Sequence, residues 1–344
     1  MNKLINNGKV TIVIPCRNEE KYIANCLDSF INQSYPKELL EVFVCDGMST
    51  DGTRDIVNTY QANYNNIKLL DNFGLTAPKA MNLGISQSNS EYIIIFGAHA
   101  NAHVDFVKNN IEVLRDKTIG CAGGLLETIN NSDKGKAIAY AMSSPFGVGN
   151  ALFRYANKET YVDTVAFGAY RREVLEEIGY FDDELVRNQD DELNFRVIKA
   201  GYKILLSPKI KSRYYSRASL SKLWKQYYQY GFWKVRVMQK HGRTAALRHL
   251  VPMIFTIVNV LGFLLSFFSK NILYLWITEL IIYFICNIIC AAKASKKEYK
   301  LIKYISTAFL ILHLSYGVGF INGLFNFYVL KSKKVIEKNT KTSR

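Results

Sequence analysis

The chain lacks the marks of a secreted, disulfide-built protein. None of its six cysteines (Cys16, Cys26, Cys45, Cys121, Cys286, Cys290) forms a C-x-x-C pair, and three lie in or beside apolar strand-like runs. Buried, reduced thiols are therefore expected rather than a bridge or a thiolate metal site. The opening MNKLINNGK leads into a β-branched run instead of an apolar h-region, which predicts no signal peptide and a front half that stays in the cytoplasm. Charge is missing altogether from Leu250 to Phe268, Ile272 to Ala292 holds only Glu279, and Tyr304 to Leu330 carries nothing titratable of the kind but His313. Each run exceeds the ~18 residues that license a membrane span, and none has the polar face of a helix in a soluble core.

With 344 residues, the chain can hold one large α/β domain plus an appendage, since single cores rarely grow beyond ~250 to 300 residues. The expected division is a catalytic domain over 1–218, an amphipathic interfacial segment over 219–249, an anchor of about three apolar helices over 250–330 and a basic tail over 331–344. The formal net charge is +15. Much of it lies between Lys209 and Arg248 and in the Lys-rich stretches that flank the last apolar runs, a placement that suits anionic lipid head groups and argues against a nucleic-acid partner. Orientation poses a puzzle. Positive charge prefers the cytoplasm, yet Lys293–Lys303 and the tail from Lys331 are both Lys-rich, and three true spans put them on opposite sides. Either the third run, broken by Gly317, Gly319 and Gly323, re-enters, or the tail departs from the rule.

The first two hundred residues alternate strand and helix patterns. Val10–Ile14 is an apolar β-branched run stopped by Pro15, and Glu19–Gln33 repeats apolar residues at helical spacing. The unit recurs with strands at Leu40–Cys45, Ile67–Leu70 and Tyr92–Phe96 and helices near Gly52–Ala62 and Pro78–Ser86. Such alternation predicts a parallel sheet covered by helices on both faces, with ligands beyond the carboxyl ends of the strands. Helices are also expected over Arg171–Ile178 and Asn188–Ala200, the latter with Asp190, Asp191 and Glu192 in its first turn. Ser219–Gln239 interleaves Trp224, Tyr227, Tyr228, Tyr230 and Trp233 with basic residues and reads as a helix in the membrane interface.

Two runs carry a family resemblance. Val-Thr-Ile-Val-Ile-Pro-Cys-Arg-Asn-Glu-Glu (Val10 to Glu20) and Val-Cys-Asp-Gly-Met-Ser-Thr-Asp-Gly-Thr (Val44 to Thr53) resemble glycosyltransferase family 2, in the membrane-anchored bacterial exopolysaccharide branch. The likeness spans roughly Val10 to His241. It implies an α/β fold, with a GT-A (Rossmann-like) nucleotide-sugar transferase domain followed by C-terminal transmembrane helices, and a multi-pass cell-membrane protein whose catalytic domain faces the cytoplasm. It also implies an inverting transfer from a nucleotide-sugar donor, a UDP-sugar first, to a polyprenyl-linked saccharide of exopolysaccharide or capsule assembly, beside membrane lipid.

Residue by residue, the resemblance assigns Pro15, Arg17, Glu19, Asp46, Lys79 and Ala98 to the donor. Asp46 is suited on its own terms, because a carboxylate at a strand end accepts hydrogen bonds from a base or ribose edge. The family usually places Asp-x-Asp after the fourth strand to hold Mn²⁺ or Mg²⁺ against the diphosphate, whereas this chain reads Gly97-Ala98-His99. His99 keeps the second position, and an imidazole can still ligate Mn²⁺; the missing first carboxylate is the departure. The run Gln189-Asp-Asp-Glu-Leu-Asn-Phe-Arg196 resembles the family's Glu-Asp-x-x-Leu-x-x-Arg, which makes Asp190 the catalytic base. Its neighbour Asp191 is expected to raise the pKa of the pair. Gln226 to Lys234 stands where processive relatives carry Gln-x-x-Arg-Trp, and with Asp191 the residues Gln226, Gln229, Tyr230 and Trp233 are assigned to acceptor and diphosphate. Two rival readings stay open: transfer to a polyprenyl phosphate itself, and a catalytically inactive membrane scaffold that kept the fold.

Overall fold

The computed structural model describes residues 8–216, 219–242 and 247–340, with 247, 248, 333, 334 and 338 described by backbone alone. The opening residues 1–7, the junction residues 217–218 and 243–246 and the end of the basic tail, 341–344, lie outside the described residues.

The chain divides into two compact units, Met1–Glu127 with Tyr155–Tyr215, and Thr128–Arg154 with Ser216–Arg344. In the first, β1 (Val10–Cys16), α1 (Ile23–Ile31), β2 (Leu40–Asp46), α2 (Thr53–Asn63), β3 (Ile67–Asp71), α3 (Ala77–Gln87) and β4 (Tyr92–Ile95) follow in strict alternation. Next come β5 (Ala100–Ala102), α4 (Phe106–Leu114) and β6 (Ile119–Ile129). The chain leaves for the second unit through α5 (Asp133–Met142) and α6 (Pro145–Val148) and returns as β7 (Thr160–Tyr161), β8 (Ala166–Arg171), α7 (Arg172–Ile178), α8 (Gln189–Lys199) and β9 (Lys203–Tyr215).

These strands form one sheet in the order β3-β2-β1-β4-β8-β6-β9-β5, with β7 paired to β9. The expectation of a parallel sheet holds for β3, β2, β1 and β4, where Val10 registers with Leu40 on one side and Tyr92 on the other. It fails beyond β4: β8 runs antiparallel to β4 and β6, and β5 and β7 run antiparallel to β9. The physical reason is the connection. Each of β1 to β3 is followed by a helix that returns the chain for the next strand in the same direction, while β6 leads to β8 only through the excursion into the second unit, with no single crossover helix between them. Burial matches that half-and-half design. Val10, Ile12, Val13 and Ile14 are all fully buried, as a strand covered on both faces requires, and Phe96 packs edge-on against Phe30 and Phe106 at 4.9 and 5.3 Å.

The second unit is helical: α5 and α6, then α9 (Leu220–His241), α10 (Leu247–Ser266), α11 (Lys270–Ala294), α12 (Ile302–Leu324) and α13 (Lys333–Thr340). Three apolar stretches, His249–Ser266, Lys270–Ala294 and Tyr299–Leu330, are long and apolar enough to cross a membrane. The helix expected to lie in the interface, α9, buries one face within this unit: Leu223, Phe232 and Trp233 are fully enclosed. Leu223 joins Ala137, Ile138 and Ala141 of α5 and Ile305, Phe309 and Leu312 of α12 in one apolar core. Small residues at Gly231, Gly319 and Gly323 bring the helices together, since a Cβ on Gly319 would collide with the Tyr228 carbonyl oxygen and one on Gly231 with that of Tyr316. Their spacing was visible as a break in an apolar run, but the partner helix was not.

Candidate active site

Two loops at the carboxyl ends of β1 and β2 are stitched together. Gly47 N–H donates to the Cys16 carbonyl at 2.8 Å, and Asn18 N–H to Ser49 Oγ at 2.8 Å. In return, Thr50 N–H donates to Asn18 Oδ1 at 2.8 Å, and Gly52 N–H to Glu20 Oε2 at 3.0 Å. Glu19 N–H donates to Thr53 Oγ1 at 2.8 Å, tying the first loop to the start of α2. The parallel register of β1 and β2 brings both loops to the same edge of the sheet, and short polar side chains in them answer the backbone groups that the strands leave unpaired.

Asp46 ends β2 with no exposed surface. Its Oδ2 accepts from the Ser49 amide at 2.9 Å and from Arg54 Nη1 at 2.8 Å, and its Oδ1 accepts from the Ser49 hydroxyl. Arg54 in turn donates through Nη2 to Asp71 Oδ1 at 2.7 Å, and its bonds to Asp46 first and Asp71 second hold the guanidinium above its ordinary pKa. A buried carboxylate with these partners is fixed in direction. Around it the backbone is strained: Met48 and Leu75, both bulky, hold φ of 56° and 62°, conformations that persist where the surroundings over-determine them. Asn72 N–H donates to the Asp46 carbonyl at 2.8 Å, which joins the loop after β3 to the same cluster.

His99 sits between β4 and β5, with Nδ1 3.2 Å from Glu19 Oε1 and its ring edge-on to Tyr214 at 5.1 Å. A carboxylate on one ring nitrogen is the arrangement that orients metal-binding imidazoles. Among the described residues no group of three His, Cys, Asp or Glu could hold a metal ion by itself. Gly97 supplies no side chain, and a Cβ there would meet the Phe167 ring at 3.0 Å, so the ring stands close to where the family's first aspartate projects.

The remaining assigned residues fall into three places. Arg17 is exposed, with its stem over Gly47, Pro15 is half-buried at the end of β1, and Ala98 is buried one residue before His99. Together with Glu19 and His99 they share the strand-end edge with Asp46. Lys79 is exposed on the first turn of α3, its stem against Gly74. Asp190 and Asp191 open α8 behind Asn188, whose φ of 59° suits an asparagine. Asp190 is exposed and its Oδ1 accepts the Asp191 amide at 2.9 Å. Burial pushes the Cys121 thiol of β6 up to about 12, and the negative charge of Asp190 adds to that rise, which sets the carboxylate near the β6–β8 part of the sheet. Gln226, Gln229, Tyr230 and Trp233 belong to the second unit. There Gln226 Nε2 donates to the Tyr230 hydroxyl at 2.9 Å, and both Gln229 Nε2 and Trp233 Nε1 donate to the Asn339 carbonyl, at 3.0 and 3.2 Å. Trp233, assigned from the sequence to an acceptor, is fully buried and presents no ring face to a sugar.

Sequence reasoning missed three residues that shape the site. Arg54 and Asp71 carried no sequence signal of their own, because only the fold brings them to Asp46. Glu192 was read as one more acid at a helix start, yet it is buried and accepts from Arg196 Nε at 2.9 Å and Nη2 at 2.8 Å. Arg196 also donates to the carbonyls of Ile178, Gly179 and Tyr180 at 2.7 Å each, which pins α8 to the turn after α7. The i,i+4 spacing of Glu192 and Arg196 was the available signal.

Comparison with known proteins bears on the family and the fold. The model of Glycosyl transferase family 2 matches residues 11–179. The chain is 37% identical over 239 residues to the dolichyl N-acetyl-alpha-D-glucosaminyl phosphate 3-beta-D-2,3-diacetamido-2,3-dideoxy-beta-D-glucuronosyltransferase of Methanococcus voltae, covering 67% of this chain and 74% of that one. It is 29% identical over 244 residues to the succinoglycan biosynthesis protein ExoA of Rhizobium meliloti (strain 1021), covering 70% and 74%. Among solved structures, the mannosyltransferase PcManGT from Pyrobaculum calidifontis, in complex with GDP-Man and Mn²⁺, superposes with a TM-score of 0.62 at 18% identity over 93% of this chain and 88% of that one, a likeness of fold.

Proposed function

The chain belongs to glycosyl transferase family 2, and from that premise we propose that it is an inverting glycosyltransferase, moving a sugar from a nucleotide-sugar donor to a hydroxyl of a lipid-linked saccharide. The observation that carries this reading is the pairing of a buried, immobilised carboxylate at the end of β2 with an exposed one at the start of α8. The first is built to bind and the second to exchange a proton.

In this reading Asp46, held by Ser49 and Arg54, accepts from the base or ribose of the donor, with Pro15, Arg17, Glu19 and Ala98 along the same edge and Lys79 approaching the phosphates. Asp190 takes the proton of the acceptor hydroxyl as that oxygen attacks the anomeric carbon. The glycosidic bond forms on the face opposite the nucleotide while the bond to the diphosphate breaks, which inverts the anomeric centre. Asp191 stands beside it in the first turn of α8. Gln226, Gln229 and Tyr230 are the residues proposed for acceptor and diphosphate.

The donor set fits a divalent ion that arrives with the diphosphate rather than one held by protein alone, because His99 is one ligand and Glu19 orients it while position 97 offers none. When bound, such an ion neutralises charge on the departing diphosphate. Mn²⁺ suits an imidazole ligand better than Mg²⁺ does.

The relative named for a dolichyl N-acetyl-alpha-D-glucosaminyl phosphate supports a sugar hydroxyl on a polyprenyl-type lipid as acceptor, and the succinoglycan relative supports bacterial exopolysaccharide or capsule assembly. Membrane lipid is the expected surroundings, with the first unit in the cytoplasm, where nucleotide sugars are made. The test is to incubate the purified full chain with UDP-sugars, then GDP-sugars, and a native lipid extract, with and without Mn²⁺. Transfer by the wild type that falls ~10²-fold in Asp190→Asn is the expected outcome. Undiminished transfer by that variant would favour a phosphate acceptor, and donor binding with no transfer to any extract would favour an inactive scaffold.

A further inference from the structure

We infer that α10 and α11 alone cross the bilayer, as a hairpin, and that α12 lies along the membrane surface beside α9, so the second unit's exposed apolar surface is a two-helix insertion into lipid hydrocarbon. All three apolar stretches meet the length requirement, but they are not equally covered. In the third, 44% of the residues are buried by protein, against 6% in each of the other two. Val251, Leu261, Phe268, Leu275 and Ile282 stand 50 to 86% exposed along the hairpin, a surface water does not tolerate at that extent.

One face of α12 is covered by α9, and the two run side by side in the same direction, while its other face meets Pro252 and Thr256 of α10 and Tyr283 and Asn287 of α11. Leu223 shares a core with Phe309, Tyr228 meets Gly319, Phe232 meets Gly323, and Gln239 Nε2 donates to the Phe327 carbonyl at 3.1 Å. Any depth assigned to α12 is therefore also the depth of α9. That helix carries Lys222, Lys225, Lys234, Arg236 and Lys240 and no acid. A lysine or arginine at the middle of a bilayer costs ~2.5 to 3.5 kcal/mol even on the mildest scale, and five of them exclude a shared transmembrane path. At the surface the exposed Lys222, Lys225 and Lys240 face lipid phosphates.

Both ends of α12 are tied to this pair's own side. Before it, Lys300 Nζ bonds Asp133 of α5 at 3.1 Å, and Glu298 accepts from the Tyr140 hydroxyl of α5 at 2.6 Å with Lys136 at 3.6 Å. After it, the Asn339 carbonyl of α13 accepts from Gln229 and Trp233 of α9. Lys293, Lys296, Lys297, Lys300 and Lys303 then lie on the same side as Lys331, whereas the turn between α10 and α11 offers Lys270. This satisfies the preference of positive charge for one side, which three spans violate. The hairpin dimensions agree, because the 20 residues of α10 rise ~30 Å, the thickness of bilayer hydrocarbon. Trp276 Nε1 of α11 donates to Asn259 Oδ1 of α10 at 3.3 Å, closing the hairpin on itself.

The test places single reporter cysteines in the full chain at Ser269→Cys, Tyr299→Cys and Thr340→Cys, with Lys297→Cys and Lys331→Cys as duplicates at the neighbouring exposed positions. Each is labelled with a membrane-impermeant maleimide in spheroplasts and in inverted vesicles, over the wild-type background. Expected is labelling of positions 297, 299, 331 and 340 from one face and of 269 from the other. Labelling of 299 and 340 from opposite faces means that α12 crosses and overturns the inference, as does labelling of all positions from one face. Neither outcome depends on catalytic activity.

Discussion

The two carboxylates at the heart of the site are housed in opposite ways. Asp46 has no exposed surface and is gripped by the Ser49 amide and by Arg54, which Asp71 grips in turn. Asp190 is exposed at the first turn of a helix, and the rigidity near it resides two residues on, where buried Glu192 locks Arg196 to the carbonyls after α7. A binding group gains from being held in one orientation, since ordering costs are then met during folding rather than at each encounter. A proton acceptor gains from access and from a stiff element beneath it. The contrast teaches that Arg54 and Arg196 do one job in two places, the first directly on the carboxylate proposed to bind donor and the second one layer below the proposed base.

Breaking the lower layer is expected to have the largest effect. Arg196→Met strands Glu192 without its partner and should cost ~3 kcal/mol of stability, seen as a lowered denaturant midpoint with an unchanged slope. If the midpoint stays put, Glu192 does not depend on Arg196 and the comparison loses one side. Asp190→Asn comes next, with a ~10²-fold fall in kcat and a donor Kd within about twofold of wild type by calorimetry; a matching rise in Kd would mean that Asp190 binds donor as well. Arg54→Met should act in the opposite sense, weakening donor about tenfold because a charge-assisted bond to Asp46 is lost, with kcat at saturating donor little changed. Arg54→Lys should recover part of the affinity through its single charge, since a lysine cannot reach Asp46 and Asp71 with a planar fork. The smallest effect is expected at exposed Lys79, where Lys79→Met should raise the donor KM about threefold, more at low salt than at high.

Legibility followed the range over which each feature is encoded. The strand–helix alternation from Val10 to Ile95 and the loops after β1 and β2 are local patterns, and they appeared within two residues of where the periodicity put them, apart from α1, which starts at Ile23, four residues after Glu19. The antiparallel half of the sheet escaped because β6 and β8 are rich in glycine and alanine where β1 and β2 carry β-branched runs, and their direction is set by the connection between them. Arg54 and Asp71 were invisible as site residues for a similar reason: they lie 8 and 25 positions from Asp46, and no periodic pattern joins them. Trp233 illustrates the converse. An aromatic among lysines reads as an interface residue, and only the arrival of α12 and of the Asn339 carbonyl encloses it.

Family and enzyme class were thus written in short contiguous stretches, as were the two carboxylates proposed for the site, because local backbone geometry and loop chemistry depend on neighbours in the chain. Strand direction past β4, the Arg54 bridge and the covering of α12 by α9 depended on surfaces that meet only when the chain folds back on itself. Burial and pairing are properties of those meetings, so an apolar run and a charged residue acquire their roles when the fold supplies the other side.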